Sequence, residues 1–112
     1  MKFMIYELRE YDAMPGQLQA LLNRFEAVVL PLWKIHEINP IGFWTGVIGE
    51  SVNVRLHYII AWKSLAEREE KMNKFGVDPK WISEREASEV NGPLVAKVSS
   101  QILKPTSFSR IQ

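Results

Sequence analysis

Met4-Ile5-Tyr6-Glu7-Leu8-Arg9-Glu10-Tyr11-Asp12-Ala13-Met14-Pro15-Gly16-Gln17-Leu18 is the stretch that decides the fold, because the period of its apolar residues changes inside it. From Phe3 to Tyr11 the side chains alternate. Met4, Tyr6 and Leu8 fall on one face, and Ile5, Glu7, Arg9 and Tyr11 on the other, the pattern of a strand. Pro15 suits the first turn of a helix, where its missing N–H leaves no bond unmade. Leu18, Leu21, Leu22, Phe25, Val28 and Val29 then form an apolar stripe. Pro31 is expected to kink or restart this helix, with Leu32, Trp33 and Ile35 in a shorter segment ending near Asn39-Pro40.

Working outward, Ile41 to Ile48 and Val54 to Trp62 read as two strands of a hairpin around Asn53. Ser64 with Glu67 makes a capping box for a helix from Leu65 to about Phe75, which Gly76 stops. Asp78-Pro79 opens another helix, expected to run to Asn91-Gly92-Pro93, and a last strand covers Val95 to Lys104. The order β, α, β, β, α, β is that of the α+β, ferredoxin-like fold: a four-stranded antiparallel sheet with its helices on one face. The uncovered face, on which Tyr11, Tyr58 and Ile60 are expected, is too apolar for water. Pairing with a second copy would cover it and build an eight-stranded dimeric α/β barrel, so a homodimer is expected.

Composition bounds the function. The 112 residues are 46% hydrophobic and 24% charged, as in a globular domain. The net charge of +1 comes from 14 basic and 13 acidic residues interspersed along the chain, which leaves no basic stripe for nucleic acid. Without cysteine there is no disulfide, thiolate chemistry or iron–sulfur ligation. The apolar run from Tyr58 to Trp62 is far short of the ~20 residues of a membrane span. Glu7, Arg9 and Glu10, so close behind Met1, are unlike a secretory signal, and the default expectation is a cytoplasmic protein.

Several short pieces, in order, carry a family resemblance. They are Met4 to Arg9 with Tyr11, Pro15-Gly16, Leu30-Pro31-Leu32, Lys34 with His36, Gly42-Phe43-Trp44-Thr45, Leu65-Ala66-Glu67-Arg68, Asp78-Pro79-Lys80-Trp81 and the Ile-Leu-Lys-Pro tail at 102–105. Over nearly its whole length the chain resembles the NIPSNAP family. The resemblance implies the same fold, of the dimeric α/β-barrel type. It implies no settled activity, although related dimeric barrels include cofactor-independent oxygenases, haem-binding or haem-degrading enzymes and lactone isomerases. One departure stands out: where the family pattern runs His-Leu-Trp, this chain has Tyr58-Ile59-Ile60, and His57 is one place earlier. A one-residue offset in a strand reverses the face, so His57 does not inherit that position.

Glu7, Arg9 and Tyr11 share a face of the first strand, expected to point into the barrel. There Arg9 could clamp an anion or carbonyl and Glu7 accept a proton; the same pair could equally be a structural ion pair. Tyr58, with Trp44 from the neighbouring strand, could stack on a planar ligand or simply pack. The ligand-binding candidates are thus Glu7, Arg9, Tyr11, Trp44 and Tyr58. His57 is expected under the helices and His36 at a helix end, capping it. Neither histidine has a second metal ligand at helical spacing, so no metal site and no cofactor is assigned. Haem would need an axial ligand that neither clearly supplies. Two functions follow: a barrel that binds a small, hydrophobic, oxygen-bearing molecule, with or without catalysis, or a non-catalytic interaction protein with a packed interior.

Overall fold

The computed structural model describes residues 4–112; Phe3, the expected start of the first strand, lies outside them. Strands β1 (Ile5–Ala13), β2 (Asn39–Thr45), β3 (Arg55–Trp62) and β4 (Val95–Leu103) form one antiparallel sheet in the order β2-β3-β1-β4. Helices α1 (Leu18–Arg24), α2 (Leu30–Ile35), α3 (Leu65–Gly76) and α4 (Pro79–Ser88) complete the ferredoxin-like arrangement.

Pro31 does not break the first helical segment. A π-helical turn, Phe25–Val29, joins α1 to α2, and the Leu30 N–H reaches back five residues to the Phe25 carbonyl. Proline has no N–H to give and its ring crowds the carbonyl four residues back, so a wider turn ahead of it keeps the helix continuous. The two helix starts read from sequence are present. Ser64 Oγ accepts from the Glu67 N–H at 3.0 Å, although Glu67 reaches back to the Lys63 N–H, at 2.8 Å, rather than to that of Ser64. Asp78 accepts from the Lys80 N–H at 2.8 Å and meets His36 Nε2 at 2.6 Å, tying the end of α2 to the start of α4. The His36 bond first, and then the Lys80 amide, hold the Asp78 carboxyl below its ordinary range. Helix α4 stops at Ser88, short of Asn91, and the β2–β3 connection occupies residues 46–54.

Which face the helices cover is the main correction. Leu56, Tyr58, Ile60 and Trp62 of β3 are at most 1% exposed and belong to one core with Leu21, Phe25, Val29 and Trp33. Their antiparallel partners on β1 are Tyr11, Arg9, Glu7 and Ile5. Glu7, Arg9, Tyr11, Tyr58 and Ile60 therefore lie beneath the helices, not on the uncovered face. That half of β3 is the more apolar and aromatic, and burying it releases more water-exposed area than burying its alternate half, His57, Ile59 and Ala61. His57 is correspondingly on the open face, with Glu10, Asp12, Leu8 and Ile59.

Candidate functional site

Glu7 is the charged centre of the covered face. Its carboxylate is fully buried and accepts five hydrogen bonds: from Trp62 Nε1 at 3.0 Å, Arg68 Nε at 2.8 Å and Nη2 at 3.0 Å, Ser100 Oγ at 2.6 Å and Arg9 Nη1 at 3.0 Å. Burial alone would raise its pKa, but these donors, Arg68 foremost, outweigh it and hold the group at about 2. Arg9 spends its other two nitrogens on phenols, Nε on Tyr58 Oη at 2.8 Å and Nη2 on Tyr11 Oη at 2.9 Å. Burial is the chief cause that pushes the Tyr58 phenol well above its usual range, so it stays protonated.

Beside this cluster is a cleft of about 470 Å³ between β4 and helices α3 and α4, with Tyr11 in its wall. Phe75 and Trp81 line it, stacked on each other at 5.0 Å between ring centroids. Arg24 enters from α1 and is nearly buried. It donates from Nη1 to Glu89 at 2.7 Å and Ser88 at 3.1 Å, and its guanidinium lies 5.4 Å from the Trp81 ring centroid. Its Nε has no partner among the described residues. Such a volume is within the range of small-molecule sites.

The NIPSNAP family model matches residues 6–110. The chain belongs to the NIPSNAP family. It is similar to a solved NIPSNAP family protein of unknown function from Agrobacterium tumefaciens, at 28% identity and a TM-score of 0.84, covering 99% of this chain and 96% of that one. A second Agrobacterium tumefaciens NIPSNAP family protein gives 26%, 0.84, and 97% and 99% coverage. An uncharacterized NIPSNAP-like domain protein from Burkholderia xenovorans gives 25%, 0.81, and 97% and 90%. No curated protein shows significant similarity to the chain.

In this NIPSNAP chain, four of the five residues singled out as ligand candidates are gathered together, Glu7, Arg9, Tyr11 and Tyr58, and of these Tyr11 reaches the cleft. Trp44 is apart from them. It pairs with His57 on the open face and is half exposed, while its neighbour Phe43 takes the place opposite Tyr58. Arg68 and Arg24 were not foreseen. Arg68 lies within the charged run from Glu67 to Lys74 that reads as a solvated face, yet it turns inward to Glu7. Elsewhere the run behaves as expected, with Glu67–Lys71 at 3.3 Å and Glu70–Lys74 at 3.1 Å. No helix of the described residues is long and apolar enough to cross a membrane.

Proposed function

We propose that this NIPSNAP protein binds a small, partly aromatic molecule carrying a carbonyl or carboxylate in the cleft between β4 and helices α3 and α4. The observation that supports this is the wall of the cleft at Tyr11. Its phenol oxygen accepts from Arg9 Nη2 at 2.9 Å, and a phenol O–H polarised in this way is a stronger donor to a ligand oxygen. Trp81 and Phe75 offer an aromatic surface, and Arg24, paired with Glu89 and with no partner for its Nε among the described residues, lines the same cleft. Arg9 itself acts behind Tyr11, since each of its nitrogens already has a partner. Titration with benzoate and naphthoate, followed calorimetrically, should give saturable binding by the parent. Tyr11→Phe should weaken it roughly tenfold, the loss of one hydrogen bond, and should lower the melting temperature by several degrees while keeping the fold by circular dichroism, because Arg9 Nη2 loses its acceptor. Absence of saturable binding up to millimolar ligand would remove the reading.

The protein acts, in this reading, as a homodimer joined through the open sheet face. Trp44 is 51% exposed and Leu103 40% on that face, beside Leu8 and Ile59. A contact of at least ~800 Å² per subunit would cover them. Light scattering on the eluting peak should give twice the chain mass, and a stable monomer at micromolar concentration would contradict the pairing.

A further inference from the structure

Two arginines share one carboxylate in the wall of the cleft. Glu89 Oε2 accepts from Arg24 Nη1 at 2.7 Å and lies 3.7 Å from Arg85 Nε, too far for a hydrogen bond. Among the described residues that line the cleft, Glu89 is the one acidic group, against Arg24, Arg85 and Lys97. Lys97 has a counter-charge elsewhere, as the cross-strand partner of Asp12 on the open face. Two guanidiniums therefore stand against one carboxylate, and one positive charge in the cleft wall is left unbalanced. Arg24 also has an unused edge. Its bonds among the described residues, to Ser88 and Glu89, are both made by Nη1, and Nε is buried without an acceptor. Those bonds, and the Trp81 ring whose centroid lies 5.4 Å from the guanidinium, fix the plane of the group.

We infer that Arg24 and Arg85 form a carboxylate subsite, so that the ligands of the cleft are aromatic monocarboxylates rather than neutral carbonyl compounds. The inference rests on the small-molecule reading above and narrows it. Nε and Nη2 of an arginine are parallel donors on one edge, the fork that matches the two oxygens of a carboxylate. The ligand acid lies along that edge of Arg24, and gives the buried Nε the acceptor that the chain does not provide. Arg85 supplies the charge that Glu89 leaves unbalanced, and the aromatic body of the ligand meets Phe75 and Trp81. Helix α4, which carries Arg85, contributes no buried residue, and an element so lightly packed shifts to admit a ligand at small cost. Glu89 is the positioning residue, since it holds Nη1 and so turns the free edge away from itself.

The test is calorimetric titration of the intact protein with 2-naphthoate and with its neutral counterpart 2-naphthamide. The parent should bind the acid at least ~10-fold more tightly than the amide. Arg85 is 59% exposed, so Arg85→Gln should keep the fold by circular dichroism, and it should lose most of that preference by weakening naphthoate alone. Arg24→Lys keeps the charge but not the fork, and should reduce the preference in the same way. If Arg24→Lys does not fold, Arg85→Gln still decides. Equal affinity for acid and amide in the parent would overturn the inference while leaving the cleft a binding site for neutral aromatic compounds. An acid preference unchanged in Arg85→Gln would place the anion elsewhere and overturn it too. Absence of saturable binding by both compounds would remove the small-molecule reading, and the inference with it.

Discussion

Glu7→Gln is expected to lower the stability of the fold by about 3–5 kcal/mol, the scale found when one member of a buried ion pair is removed. Gln keeps the shape of the side chain but presents Arg9 and Arg68 with a neutral amide whose NH₂ cannot accept. Arg9 is only 13% exposed and cannot recover the loss from water. For a domain of this size that should appear as a fall in melting temperature of more than ~10 °C. The same group gives a pH signature. Its folded pKa of about 2 lies below the ordinary 4.5, so the stability it supplies is fully present above about pH 4.5. That contribution, roughly 3 kcal/mol, is lost as the pH falls from there towards 2. Melting curves of the parent and of Glu7→Gln should therefore converge on acidification. An unchanged gap between about pH 6 and about pH 3 would show that Glu7 does not carry this charge in the folded state.

Trp33→Ala should be comparably damaging, at about 3–5 kcal/mol. Trp33 is 2% exposed, and its ring centroid lies 5.6 Å from that of Tyr58, 5.9 Å from Phe25 and 6.1 Å from Phe75. The ring thus joins the first helical segment, β3 and α3. Its Nε1–H is buried without a partner among the described residues. Trp33→Phe should accordingly be mild, below about 2 kcal/mol, because removing an unsatisfied donor offsets part of the lost packing. Chemical denaturation of both variants separates the two contributions: equal losses would mean that the indole N–H does have a partner in solution.

The element order was legible in the chain because its signals are local. Ser64 and Asp78 cap the helices they were read to cap, Pro15-Gly16 separates β1 from α1, and the change from period two to helical period is visible within a few residues. These interactions span three or four positions, so neighbouring residues suffice to specify them. The end of α4 and the length of the β2–β3 loop were less legible, since helix and strand ends depend on what the neighbouring elements leave room for.

By itself, then, the sequence determined the βαββαβ order, the antiparallel sheet with helices on one side and the membership of a family. It also determined that Glu7, Arg9 and Tyr11 share a face, because strand geometry fixes that alternation. Only the tertiary structure decided which face is covered. Alternation defines two faces without ranking them, and β3 carries apolar residues on both. Two charges on β1 argue for the open side until Arg68 arrives from α3, 61 residues along the chain, to pair with Glu7 and make its burial tolerable. The same choice of face sent His57 outward to meet Glu10 and Ser51. Charge compensation between residues far apart in sequence leaves no periodic trace, so it becomes readable when the helices are laid on the sheet.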